Sequence, residues 1–362
     1  MLEKNAQDLY SLLPPPTPSQ SPTASPATSR GSRAFSKIKL GLIASVLAIS
    51  TVWAYSRLAG GCHHGAALMF GGGGNELEDD ALEVGDYAGL NLGLSERLGY
   101  TLVKDIPSEN IPGRGKNGVQ KGDGDDKRLI VVGDIHGMFD EFQSLLDKVS
   151  YDSERDYLIL AGDIISKGPD SLAVLDLARK IGAHCVRGNH EDKILLHYHN
   201  IQRRKRGHHR AVERKLAKSL SKKQAKWLDA CPLVVRAKKV PGLGQYYIVH
   251  AGLVHGIGLE SQDPLAIMTM RSLNHHLVPS PKQTGMHWAK YWNKMERKKT
   301  HDHTTVVYGH YAAEGLDIHH YTKGLDSNCV RGGKLSAYIL EANKDGRVGE
   351  DVVSVRCRAY LD

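Results

Sequence analysis

The chain has 362 residues, 41% of them hydrophobic and 24% charged, with a formal net charge of +8. That length holds one large globular domain with extensions, or two domains of ordinary size. Its five cysteines, Cys62, Cys185, Cys231, Cys329 and Cys357, are scattered and show no C-x-x-C spacing, which argues against both a disulfide scaffold and a cysteine zinc site.

Residues 1–37 include "LLPPPTPSQSPTASPATSRGS", a Pro/Ser/Thr tract with almost nothing apolar to bury, and are expected to be a disordered cytosolic tail. The uncharged run from Leu40 to Tyr55 follows, flanked by Lys37, Lys39 and Arg57, and predicts a transmembrane anchor over 38–58. A cleaved signal peptide fits less well, because the polar tail is far longer than a usual n-region. Lys4, Arg30, Arg33, Lys37 and Lys39 all precede the span, so the expected topology is type II with a lumenal carboxyl-terminal domain. Asp8, Leu12 and Leu13 in "DLYSLL" have the spacing of an acidic dileucine signal and imply a sorting adaptor. Residues 59–126, rich in glycine and polar residues, read as a lumenal linker with some local order.

From residue 127 short apolar runs alternate with longer amphipathic stretches, the pattern of a layered α/β domain. In "VVGDIHGMFDEF" (131–142) a buried strand runs into Asp134 and His136, aiming a carboxylate and an imidazole beyond the sheet edge. The same placement recurs four times. "YLILAGD" ends in Asp163, "AHCVRGNHED" carries Asn189 and His190, "QYYIVHAGL" carries His250, and "TTVVYGHY" carries His310. A single instance would fit a capping aspartate or a core histidine. Five strand ends together supply enough nitrogen and oxygen donors for two metals that share an aspartate.

The ordered set "GDIHG", "GD" with "SKG", "RGNHE", "HAGL" and "YGH" resembles the phosphoprotein-phosphatase branch of the calcineurin-like metallophosphoesterases, over roughly 127 to 345. "GLDSNCVRGGKLSAYIL" is similar to that branch's closing motif. The resemblance implies an α/β (α+β) four-layer sandwich, two mixed β-sheets flanked by helices, as the catalytic domain over 127–362. It implies two divalent ions, zinc first with cobalt or manganese possible. One would be held by Asp134, His136 and Asp163, the other by Asp163, Asn189, His250 and His310, with His190 protonating the leaving oxygen. Two departures stand out in "GDIISKG". Ser166 replaces the aspartate that orients the catalytic histidine, and Lys167 replaces a phosphate-binding arginine, which keeps charge but loses the bidentate fork. The missing aspartate points away from protein serine/threonine phosphatases and toward relatives that cleave phosphoanhydrides, such as the symmetrical dinucleoside tetraphosphate hydrolases. Lys167, Arg187 and Arg271 are the candidate phosphate contacts beside the metals.

An insertion over 201–227 carries eleven lysines or arginines against one glutamate, a local excess larger than the +8 of the whole chain. Val212, Leu216, Leu220 and Trp227 come close to one helical stripe, so a solvated basic helix is one reading. A long polyanion held by Arg203, Arg204, Lys205 and Arg206 is the other. Little aromatic interleaving is present, so nucleic acid is not expected. Inorganic polyphosphate is the expected partner, cleaved within the chain at the vacuole membrane, an arrangement most similar to the fungal vacuolar zinc-dependent endopolyphosphatases. The alternatives are symmetrical dinucleoside tetraphosphate hydrolysis, protein serine/threonine dephosphorylation, and a membrane-tethered pseudo-phosphatase that only binds.

Overall fold

The computed structural model describes residues 100–114, 127–203 and 211–361. The chain enters through β1 (Val103–Asp105), then β2 (Arg128–Val132), α1 (Phe139–Lys148), β3 (Asp156–Leu160), α2 (Ser171–Lys180) and β4 (His184–Cys185). Three helices follow, α3 (Asn189–Gln202), α4 (Ala211–Ser219) and α5 (Lys222–Asp229), before β5 (Val234–Val240) and β6 (Gly244–Val249). Then come α6 (Pro264–Thr269), β7 (Ser272–Leu273), β8 (Pro279–Ser280), β9 (Met286–His287) and α7 (Trp288–Glu296). The chain closes with β10 (Thr304–Tyr308), β11 (Asp317–Ile318), β12 (Thr322–Gly324), β13 (Lys334–Ala342) and β14 (Val348–Arg356).

β2 and β3 are buried along their whole length, as expected of parallel strands covered on both faces. They sit in a five-stranded sheet ordered β14-β13-β2-β3-β4, while β1-β5-β6-β10-β12-β11 form a six-stranded sheet; both mix parallel and antiparallel pairs. Period-two alternation divides the side chains among three cores. Leu129, Val131 and Ile159 of the first sheet pack with Val235, Ile248 and Val307 of the second. The opposite faces meet helices: Ile130, Val132, Leu158 and Leu160 pack with Phe142, Leu145 and Val174, whereas Val249, Val306 and Tyr308 pack with Ile267, Trp288 and Trp292. The layers are therefore helix, sheet, sheet, helix. α1 shows why a helix forms there: Phe142, Leu145 and Leu146 share one buried face, with Asp140 and Glu141 in the first turn and Lys148 in the last.

Two expectations are corrected. No helix among the described residues is long and apolar enough to cross a membrane. The longest of them, α3, has 14 residues and reaches about 21 Å at 1.5 Å per residue, short of a hydrocarbon core of ~30 Å. The stretch 38–58 and the dileucine pattern lie outside the described residues, so the membrane anchor, the adaptor and the type II vacuole-membrane placement are set aside. Second, four of the cysteines are paired, Cys185 with Cys231 and Cys329 with Cys357, each pair 5.2 Å apart at Cα. Separations of 46 and 28 residues concealed this proximity from spacing arguments. The stretch read as a linker with some local order includes β1, which pairs in parallel with β5, and Asp105 there is gripped by Arg236 and Lys238.

Candidate active site

The carboxyl ends of β2, β3, β6 and β10 and the start of α3 all open on one place. Five of the side chains they bring there, Asp134, His136, Asp163, His250 and His310, are buried. Asp163 faces two ways. Its Oδ2 lies 3.6 Å from His136 Nε2 and 3.9 Å from His190 Nε2, while its Oδ1 lies 3.3 Å from His250 Nε2. His250 Nε2 is also 3.1 Å from Asn189 Oδ1. Two groups among the described residues can each hold a metal ion, His136, Asp163 and His190 in one and Asp163, His250 and His310 in the other. Asp134 Oδ2 sits 3.8 Å from His136 Nε2 and is buried without a hydrogen-bond partner.

Backbone carbonyls orient the imidazoles. His136 Nδ1 lies 3.4 Å from Ile165 O, His250 Nδ1 2.8 Å from Ala161 O, and His310 Nε2 3.1 Å from Thr269 O. A carbonyl only accepts, so each contact places a proton on that nitrogen, and the other nitrogen would serve a metal through its lone pair once deprotonated. Charge balance favours cations here as well. Burial, with the Asp326 charge behind it, pushes the Asp134 carboxyl well above the usual range. Burial opposes ionisation of Asp163 too, but the imidazoles of His250, His190 and His136 outweigh it and hold that carboxyl well below its ordinary value. Two carboxylates in one dry pocket cannot both ionise unaided, and divalent cations would let them. Donor set, tautomers and the orphaned oxygen all suit a pair of metals.

The backbone here is strained. His136, Asp163, Ser166, Lys167 and His310 all have positive φ, a left-handed conformation that non-glycine residues adopt rarely and that clusters at functional sites. Close approach also requires glycine at two points: a Cβ at Gly309 would collide with Asp134 Oδ1, and one at Gly188 with Asp163.

Three contributors were not singled out from the sequence. Glu191 is fully buried, and its carboxylate accepts from the backbone N–H groups of Asp163, Ile164, Ile165 and Gly188 at 2.8 to 3.2 Å, tying the β3 exit to the start of α3. Asp326, buried, and Tyr311 line a cavity of about 350 Å³ together with His136, Lys167, Arg271 and His310. Glu191 and Asp326 both lie inside motifs already quoted, "RGNHE" and "GLDS", which was the available signal. The expected phosphate contacts divide. Lys167 and Arg271 line the cavity; Lys167 Nζ lies 2.6 Å from His136 Nε2, and Arg271 lies over the Tyr311 ring. Arg187 instead is buried against Asp192, Asp229 and the Tyr100 ring, and does not line the cavity. Arg203 is exposed at the end of α3, and Arg204, Lys205 and Arg206 lie outside the described residues.

Comparison with known proteins agrees with this geometry. The family model for calcineurin-like phosphoesterases matches residues 127–343, more than half of the chain. The chain is 28% identical over 275 residues to the zinc-dependent endopolyphosphatase of Saccharomyces cerevisiae, covering 64% of this chain and 81% of that protein. It is 30% identical over 263 residues to the symmetrical bis(5'-nucleosyl)-tetraphosphatase of Aromatoleum aromaticum, covering 59% of this chain and 93% of that protein. A crystal structure of a candidate diadenosine tetraphosphatase superimposes with a TM-score of 0.55 at 29% identity, covering 72% of this chain and 99% of the other.

Proposed function

The chain belongs to the calcineurin-like phosphoesterase family and is a metal-dependent hydrolase; from that premise we propose that it cleaves phosphoanhydride bonds in dinucleoside polyphosphates of the symmetrical tetraphosphate type. The observation that carries the anhydride class is the surroundings of His190: Ser166 stands in place of a carboxylate partner, and the carboxylate at hand, Asp163, lies 3.9 Å from the imidazole of His190. Burial, reinforced by Lys167 and Lys193, brings its imidazole down to about 4 despite Asp163, so it is neutral near pH 7. Divalent cations alongside push it further the same way. Ser166 offers no carboxylate to restore its charge. A neutral imidazole is a poor proton source for a serine or threonine alkoxide, whereas a phosphate leaving group needs little help. Similarity to the tetraphosphatases supports the nucleotide substrate.

In this reading Asp134, His136 and Asp163 hold one ion and Asp163, Asn189, His250 and His310 the other, with zinc first and cobalt or manganese as substitutes. Bound there, the ions neutralise phosphoryl charge and lower the pKa of water. Lys167 and Arg271 steady the phosphates, and His190 donates a hydrogen bond to the leaving oxygen. The catalytic unit is 127–362 together with β1. A second reading, cleavage within inorganic polyphosphate, draws on the similarity to the yeast endopolyphosphatase and on the lysines of α4 and α5. The purified protein, loaded in turn with zinc, cobalt and manganese, should be given diadenosine tetraphosphate and long-chain polyphosphate, and the products resolved by anion-exchange chromatography. Two molecules of nucleoside diphosphate per dinucleotide is the expected outcome. Progressive shortening of polyphosphate with the dinucleotide untouched would transfer the assignment to the second reading, and no anhydride cleavage under any metal would end both.

A further inference from the structure

Lys167 lines two cavities. One is the metal-side pocket with Arg271 and Tyr311; the other is a groove of about 450 Å³ between the 166–173 segment and α4. Both volumes fall in the range of about 300–1,000 Å³ typical of small-molecule clefts. The groove differs from the pocket in its chemistry. Leu172, Leu216, Val212 and Tyr360 give it an apolar side, and two of these are left in solvent, Val212 at 76% and Tyr360 at 53% exposure. An exposed aromatic ring in the lining of a groove with an apolar side offers a flat ring a surface to stack on.

Tyr360 is held in place by more than chain continuity. It lies beyond the family match, which ends at residue 343, in a tail that returns to the site. The Cys329–Cys357 cystine anchors that tail, the backbone N–H groups of Tyr360 and Leu361 both donate to Val330 O at 3.0 Å, and Arg331 bridges Ala359. Cys329, Val330 and Arg331 themselves line the metal-side pocket. One loop therefore borders the metals on one side and carries the aromatic wall of the groove on the other.

We propose that this groove is the subsite for one nucleoside of the substrate, with its base stacked on Tyr360 and its phosphates passing Lys167 to the metals. The proposal rests on the phosphoanhydride-hydrolase reading and sharpens its substrate class. A bare polyphosphate chain has no use for an apolar wall, whereas a nucleoside carries a π-face at one end and phosphate at the other. Stacking made equally in ground and transition states changes KM and leaves kcat alone.

The test uses the full chain loaded with zinc and compares wild type, Tyr360→Ala and Tyr360→Phe on diadenosine tetraphosphate and on inorganic tripolyphosphate. Tyr360→Ala should raise KM for the dinucleotide by roughly tenfold, the scale of losing one base–aromatic stack. Its kcat should stay within about twofold, and tripolyphosphate kinetics should not move. Tyr360→Phe should keep the wild-type KM, because the ring supplies the contact. An unchanged dinucleotide KM in Tyr360→Ala overturns the subsite while leaving the hydrolase reading intact. An equal rise for tripolyphosphate overturns it too, assigning the groove to phosphate alone. Wild-type cleavage of tripolyphosphate without any of the dinucleotide removes the nucleoside, and failure on both substrates removes the hydrolase reading beneath it.

Discussion

Replacing Glu191 with glutamine should damage the site without touching a metal donor. Oε1 accepts from Ile164 and Ile165, and Oε2 from Asp163 and Gly188. An amide presents one oxygen and one NH₂ group, so in either orientation two backbone donors face another donor. Hydrogen bonds to a charged acceptor contribute about 1.5–3 kcal/mol each, so losing two costs roughly 3–6 kcal/mol, a large part of an ordinary domain's stability of about 5–15 kcal/mol. The measurement belongs at pH 8, because burial and the Asp163 charge push the Glu191 carboxyl up to about 7 and the ionised form is the one that matches four donors. Urea denaturation gives the stability change, and metal content per chain reports whether the β3 exit and the α3 start still converge. Glu191→Ala should be no worse than glutamine, since water entering the space can accept where the amide cannot. A glutamine variant within about 1 kcal/mol of wild type that keeps two metals would refute the argument, because the carboxylate would then not be holding the two loops together.

Asp163→Asn should lose most bound metal and most activity together, as a neutral amide bridges two cations poorly; full metal content by elemental analysis would count against a shared ligand. For His190→Ala we expect kcat on the dinucleotide to fall by roughly tenfold, the scale of losing one hydrogen bond to the leaving oxygen, while metal content holds; a loss of about 10² or more that grows with poorer leaving groups would mean full proton transfer and refute the neutral-imidazole argument. Asp105 provides a pH prediction. Its hydrogen bond from Arg236, with Lys238 assisting, lowers the carboxyl to about 2 against an ordinary 3.8. A depressed folded value means the contribution is present above about pH 4 and lost as pH falls through about 2, so Asp105→Asn should differ from wild type in denaturation midpoint at pH 7 and converge with it near pH 2. The pair is largely exposed, so the difference should be modest, within about 1 kcal/mol.

Much of the site was legible because strand ends advertise themselves. Short apolar runs, each followed by a glycine and a polar donor, mark where a covered strand ends. The structure brings Asp134, His136, Asp163, Asn189, His190, His250 and His310 to one place at such ends. Local periodicity likewise carried the alternation of helices and strands, since burial patterns of period 2.0 and 3.6 depend only on neighbours along the chain. What depends on partners distant in sequence was decided by the tertiary structure. Spacing could not show that Cys185 meets Cys231 or Cys329 meets Cys357, nor that three residues of an apparent linker complete a sheet. Arg187 sits beside two site residues in the chain, yet its guanidinium is taken by Asp192, Asp229 and Tyr100, because side-chain direction answers to the charges packed around it. Tyr360 reads as an unremarkable residue near the carboxyl end, and only the returning tail puts it across a groove from α4 and beside Lys167.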